Sequence, residues 1–141
     1  MEEQVPLIIN HLQHVGIPVT AIKTSEAFYA RLGFAKVMEA GFTQDGAPGV
    51  CIMMQNRTII IELYQLPAAQ LQGIRDRRDG HIDHLAFDVD DIDATFTLLK
   101  NTGFDVIEEA PVFLSFWKKG CKYFNILGPD GERLEFNQVI R

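Results

Sequence analysis

His14-Val-Gly-Ile-Pro-Val19 and His84-Leu-Ala-Phe-Asp-Val89 are the two stretches that decide how this chain is read. Each opens on a histidine and then places an apolar side chain at every second position: Val15, Ile17 and Val19 in one, Leu85, Phe87 and Val89 in the other. Alternation of that kind marks a strand with one buried face. The two runs begin 70 positions apart, and the same offset also aligns Ile22 with Ile92, Gly33-Phe34 with Gly103-Phe104, Glu39-Ala40 with Glu109-Ala110, and Cys51 with Cys121. Self-similarity at a fixed period means that one structural unit has been used twice.

The surrounding signals recur in step. After the first strand of each half comes a helix ending at a Gly-Phe pair. Ser25 is placed to cap residues 26–32 and Asp90 or Asp91 to cap residues 92–100. Three further strands follow in each half, near 34–39, 50–55 and 57–64, then 104–108, 121–127 and 132–138. Turn residues punctuate the last hairpins, Gln55-Asn56-Arg57 in the first half and Gly128-Pro-Asp-Gly131 in the second. The expected architecture is α+β, one domain over residues 1–141 made of two tandem βαβββ units, about 8–64 and 81–139. Residues 65–80, with Pro67 and the charged Arg75-Asp-Arg-Arg-Asp79, read as the surface connection between them.

Residues two apart on a strand share a face. If Val15, Ile17 and Val19 meet the helix, His14 points the other way; the same holds for His84 against Leu85, Phe87 and Val89. In the fourth strand of the first unit Ile59, Ile61 and Leu63 face inward and Glu62 outward. In the last strand Leu134 and Phe136 face inward, leaving Arg133, Glu135 and Asn137 outward. Each unit thus offers one histidine and one glutamate on the face away from its helix, a regularity that a merely solvated face does not produce. Two imidazoles and two carboxylates suit zinc, nickel, iron, manganese or cobalt, and leave positions open to a ligand. His11 and His81 obey the same offset but fall on the opposite face, so they read as structural or surface residues.

Composition bounds the alternatives. With 47% hydrophobic and 23% charged residues the chain is an ordinary soluble globular protein, and no apolar run reaches the ~20 residues that span a membrane. A net charge of -6 argues against nucleic acid, whose affinity rests on lysine and arginine at phosphates. Cys51 and Cys121 form no CxxC pair and are expected to be reduced; the acidic Met1-Glu2-Glu3-Gln4 start carries no export signal, so a cytoplasmic location is expected.

These motifs together resemble the vicinal oxygen chelate superfamily, which includes glyoxalase I, extradiol dioxygenases, methylmalonyl-CoA epimerase and the fosfomycin and bleomycin resistance proteins. The resemblance rests on His14-Val-Gly-Ile-Pro-Val, on Phe28-Tyr29 followed by Leu32-Gly33-Phe34, and on Glu62 in its apolar strand. His84-Leu-Ala-Phe-Asp-Val-Asp-Asp-Ile and Gly128-Pro-Asp-Gly-Glu-Arg-Leu-Glu135 complete it. It implies a half-open barrel of mixed sheet around one divalent ion held by His14, Glu62, His84 and Glu135. It further implies Lewis acid chemistry through an enediolate, with Glu135 and Glu62 also serving as proton-transfer residues.

Within the superfamily, Glu62 as a fourth ligand is most similar to glyoxalase I, for which zinc or nickel is expected ahead of iron, manganese or cobalt. Extradiol dioxygenases resemble a His-His-Glu triad on iron; an oxygen-dependent ring cleavage is the alternative, and a metal-free binding protein of the resistance type a further one. Epimerases differ before the last strand, with His-Pro-Lys where this chain has Gly128-Pro-Asp-Gly131. The arginine and asparagine that hold glutathione in bacterial glyoxalases correspond to Pro18 and Leu66 here, so the resemblance implies a small carbonyl or thiohemiacetal substrate without specifying glutathione. The loop Pro111-Val-Phe-Leu-Ser-Phe-Trp-Lys-Lys119 offers Phe116 and Trp117 to exclude water, and Lys118, Lys119 and Arg133 to meet an anionic substrate. Packing against the barrel rim or a partner subunit, with solvated lysines, is the equal alternative. An unpaired sheet edge predicts a homodimer.

Overall fold

The computed structural model describes residues 3–77, 82–127 and 133–141. Residues 78–80 of the connection, His81 and the Gly128-Pro-Asp-Gly131 turn lie outside the described residues. The architecture is α+β, and the chain divides into two compact units, residues 14–83 and residues 1–13 with 84–141. No helix among the described residues is long and apolar enough to cross a membrane.

In the unit of residues 14–83, strand β1 (Leu12–Pro18) leads into helix α1 (Ile22–Arg31), then β2 (Ala35–Gln44), β3 (Ala47–Asn56) and β4 (Ile59–Gln65). The strands lie in the order β2-β3-β4-β1, with β1 parallel to β4 and the other pairings antiparallel. Val19, Ile22, Ile52, Met54, Ile61 and Leu63 form its core, with Ile17, Tyr29 and Phe34 packed against it. Alternate residues of β1 and β4 therefore do turn toward the helix.

Helix α1 begins at Ile22, so Ser25 lies inside it and caps nothing. Its first amide is satisfied from a distance instead, because the Gln65 side-chain oxygen accepts from the Ile22 N–H at 2.9 Å. The β2-β3 hairpin is longer than the sequence pattern predicts. Asp45 and Gly46, at φ 52° and 76°, make the left-handed two-residue turn whose twist matches paired strands, and pairing runs out to Gln44 and Ala47. Beyond β4, the segment read as the surface connection carries a 3₁₀ turn (Ala68–Gln70) and the short helix α2 (Leu71–Arg75), with Leu71 buried.

In the other unit, β5 (His84–Asp88) leads to α3 (Ile92–Asn101), β6 (Asp105–Val106), β7 (Val112–Leu114), β8 (Cys121–Leu127) and β9 (Arg133–Val139). The order is β5-β9-β8-β6, with β7 also on β8; β5 and β9 are parallel, the rest antiparallel. Among the described residues β2 pairs only with β3 and β6 only with β8. The core is Val89, Ile92, Leu99, Phe124, Ile126 and Phe136; the N-terminal Val5 and Leu7 pack on it, which is why residues 1–13 belong to this unit. Phe124 stacks on Phe136 at 5.4 Å and meets Phe96 edge-on at 5.2 Å. Asp91 caps α3 by accepting from the Ala94 N–H at 3.0 Å, and Gln138 repeats the role of Gln65 by accepting from the Ile92 N–H. Strand β6 is only two residues long because Glu108 turns its side chain into β8, and the segment expected to be a loop contains β7.

Candidate metal centre

The parallel register sets the site. Gly16 pairs with Glu62 and Ala86 with Glu135, so in both units the histidine two residues earlier, His14 or His84, shares a face with the glutamate. His14 Nε2 stands 3.7 Å from Glu62 Oε1, and His84 Nε2 stands 3.4 Å from Glu135 Oε1. None of the four exceeds 9% exposure. Burying a carboxylate costs several kcal/mol unless it gains compensating partners. Each copy of the repeated unit therefore carries a buried His–Glu pair.

Each carboxylate also has its second oxygen held. Cys51 Sγ lies 3.7 Å from Glu62 Oε2, and the Asn137 side-chain amide donates to Glu135 Oε2 at 2.9 Å and to Cys121 Sγ at 3.8 Å. Holding Oε2 leaves Oε1 directed at the histidine, which is how groups behind metal ligands fix them. Asn137 is anchored in turn: Gln13 donates to its side-chain oxygen at 3.1 Å and to Asp88 at 3.0 Å, while Asn10 donates to Asp88 at 2.9 Å. The sequence showed Asn137 on this face and the cysteines at equivalent positions. It did not show that they touch the carboxylates, nor did it draw in Gln13 and Asp88, whose roles depend on the N-terminal segment lying along β5.

The donor set fits a cation. Two ligand atoms each about 2.1 Å from one ion at a tetrahedral angle are about 3.4 Å apart, the separation found for His84 and Glu135; the His14 and Glu62 separation is slightly wider. His14, His84 and Glu135 are all buried and each offers a donor atom of the right kind.

The remaining residues singled out from sequence do not form one cluster. Phe116 is buried at 4% exposure, while Lys118 and Lys119 are exposed. Trp117 adopts φ 66°, uncommon for a bulky residue, and its indole N–H is buried without a hydrogen-bond partner among the described residues. Arg133 pairs in register with His84 and stands on its face. However, β9 runs from Arg133, opposite Leu127, to Val139, opposite Cys121, so Arg133 and the Trp117 to Lys119 turn belong to opposite ends of that strand. A six-residue run of strand is about 20 Å, and an anion clamp built jointly from Arg133, Lys118 and Lys119 does not form.

Comparison with known proteins follows the same line. Residues 13–123 match the sequence profile of the Glyoxalase/Bleomycin resistance protein/Dioxygenase superfamily. The uncharacterized protein YwbC of Bacillus subtilis (strain 168) is 30% identical over 129 residues, covering 90% of this chain and 96% of that protein. Methylmalonyl-CoA epimerase from Mycobacterium tuberculosis shares the fold with a TM-score of 0.76 at 20% identity, over 99% of this chain and 94% of that one. The hypothetical protein BH1468 from Bacillus halodurans C-125 gives 0.72 at 22% identity, over 93% and 95%. A variant of 4-hydroxymandelate synthase from Streptomyces coelicolor gives 0.70 at 18% identity, over 91% of this chain and 48% of that one.

Proposed function

The chain belongs to the glyoxalase/bleomycin resistance protein/dioxygenase superfamily, and from that premise we propose that it is a metal-dependent isomerase or lyase of the glyoxalase type, acting on a small carbonyl or thiohemiacetal substrate. In this reading His14, Glu62, His84 and Glu135 together hold one divalent ion, zinc or nickel ahead of iron, manganese or cobalt. The observation that carries it is the repeated His–Glu pair, buried, with the second oxygen of each glutamate already engaged. A divalent ion there supplies Lewis acidity, making the C–H beside a polarised carbonyl easier to deprotonate. Glu135 and Glu62 are the groups of this chain placed to take and return that proton. Asn137 and Cys51 keep their carboxylates oriented for it.

Pro18 and Leu66 carry no charge or side-chain amide with which to hold glutathione, so these positions favour no one thiol adduct over another small carbonyl substrate. Trp117, with its buried indole N–H, and Phe116 supply apolar cover at one end of β9. Arg133, beside His84, is the cation that stands on the metal-facing side. A second reading, oxygen-dependent cleavage on iron, draws on the two histidines and one glutamate that such chemistry needs and on the fold shared with 4-hydroxymandelate synthase. A homodimer completes the proposal, with the outer strand β2 offering an edge.

The deciding experiment is elemental analysis of protein purified without chelators or a histidine tag, beside a His84→Ala, Glu135→Ala double variant. The expected result is close to one ion per chain, lost in the variant. Zinc or nickel favours isomerase chemistry, whereas iron together with oxygen uptake favours ring cleavage. Protein that holds no metal and takes none up from added divalent salts overturns the four-ligand reading.

A further inference from the structure

The two glutamates have different neighbours across the sheet. Glu62 pairs with Met53, an apolar side chain, whereas Glu135 pairs with Asn125. Asn125 is 6% exposed, and Glu108 holds it twice: one carboxylate oxygen accepts its backbone N–H at 2.6 Å, and the other accepts its side-chain NH₂ at 2.9 Å. Its backbone carbonyl accepts from the Ile107 N–H at 2.9 Å. Both main-chain groups of Asn125 thus point away from β9. That makes Asn125 and Glu135 a non-hydrogen-bonded antiparallel pair, the arrangement in which facing Cα atoms are closest, about 4.5 Å apart.

Because Glu108 is a carboxylate and can only accept, it fixes which end of the amide is which. The NH₂ faces Glu108, and the carbonyl oxygen is left over. That oxygen is buried and has no hydrogen-bond partner among the described residues. A buried acceptor with no donor is costly and calls for a reason, one of which is a ligand that supplies the donor.

We infer that Asn125 is a specificity-determining residue, whose side-chain oxygen accepts a hydrogen bond from a hydroxyl on the carbon beside the substrate's carbonyl or carboxylate. The preferred substrates are then 2-hydroxycarbonyl compounds and 2-hydroxy acids, over the same molecules lacking the hydroxyl. Glu108 is a positioning residue that acts through the amide. The inference rests on the metal-dependent reading of the same face, since the metal and Glu135 bring the hydroxyl-bearing carbon opposite Asn125. A site built to bond a hydroxyl rejects the analogue without one, because its own polar group is then left unpaired.

The test uses lactate and propionate, which differ by one hydroxyl, titrated by calorimetry into the whole protein after its metal content has been measured. A net hydrogen bond corresponds to about fivefold to tenfold in affinity, so lactate is expected to bind that much more tightly than propionate. Asn125→Leu brings the ratio close to one. Glu108→Gln, which lets the amide turn over, lowers the ratio while metal content and melting temperature stay near wild type. It keeps the test valid if Asn125→Leu does not fold. Metal-loaded protein that binds neither acid, or whose ratio survives in the folded variants, overturns this assignment and leaves the metal reading standing. Protein without metal overturns both.

Discussion

Glu135→Leu separates a metal ligand from a structural carboxylate. Without metal, the substitution removes a hydrogen bond from Asn137 at 2.9 Å, worth roughly 1.5–3 kcal/mol when the acceptor is charged. It also removes a buried carboxylate whose desolvation costs several kcal/mol, so the two changes nearly offset. With metal the balance differs. An ion at about 1,000 times its dissociation constant stabilises the folded chain by about 4.1 kcal/mol. At about 2.1 cal/mol/K per residue, a chain of 141 residues unfolds with an entropy near 0.30 kcal/mol/K, so the melting temperature rises by about 14 °C. Loss of a ligand weakens affinity by at least the ~100-fold that outer partners reach, leaving about 1.4 kcal/mol, or about 5 °C. The assay is calorimetric melting of chelator-stripped protein with and without zinc or nickel. A variant that keeps its metal-induced shift within about 2 °C of wild type refutes the ligand role. A metal-free variant that melts far below metal-free wild type shows instead that Glu135 serves the fold.

Cys51→Ala takes away the thiol beside Glu62 Oε2 and is expected to weaken metal binding about tenfold, measured by competition with a chromogenic chelator, while the chain stays folded. Gly120→Ala combines φ 92° with an added carbon 2.4 Å from the Phe113 ring and 2.9 Å from the Leu114 carbonyl. It should cost at least about 1–3 kcal/mol in urea unfolding, against about 1 kcal/mol for Gly46→Ala, where only the backbone conformation is unfavourable. Hydrogen bonds from Lys36 and then Lys23 hold the Glu39 carboxyl below the ordinary carboxylate range. Its small contribution is therefore in place above the unfolded value and fades as pH falls through the lower folded one. An NMR titration should find the Glu39 midpoint depressed in wild type and back toward the ordinary range in Lys36→Gln.

Period-two alternation made His14, Glu62, His84 and Glu135 legible because a parallel register preserves faces: once Gly16 lies beside Glu62, His14 has nowhere else to point. The start of α1 was not legible, because the group that satisfies Ile22 comes from Gln65, which the chain brings back 43 residues later. Asp45-Gly46 was a readable turn signal whose consequence, a hairpin running from Ala35 to Asn56, exceeded the alternating residues around it. Arg133 and the lysines of the β7-β8 turn looked like one cationic group in sequence because nothing local reveals that β9 separates them. Asn125 gave no signal at all, since its meaning depends on Glu108 seizing one end of its amide.

On the proposed metal reading, the histidine and glutamate that recur at matching positions of the repeat are the metal donors and stay alike, whereas a substrate has no such symmetry and the neighbouring residues are free to diverge. Tyr64 stands beside Pro18 where Asn137 stands beside Asp88, and Met53 faces Glu62 where Asn125 faces Glu135. If recognition of a hydroxyl belongs to the Asn125 side, the matching change on the other side must be silent. Met53 is 1% exposed, and Met53→Leu conserves volume, so it should cost less than about 1.5 kcal/mol. Metal content and the lactate to propionate affinity ratio should both remain at wild-type values. A Met53→Leu protein that folds, holds its metal and yet loses the ratio as Asn125→Leu does would show that recognition is shared between the halves and that the divergence at Asn125 is not its source.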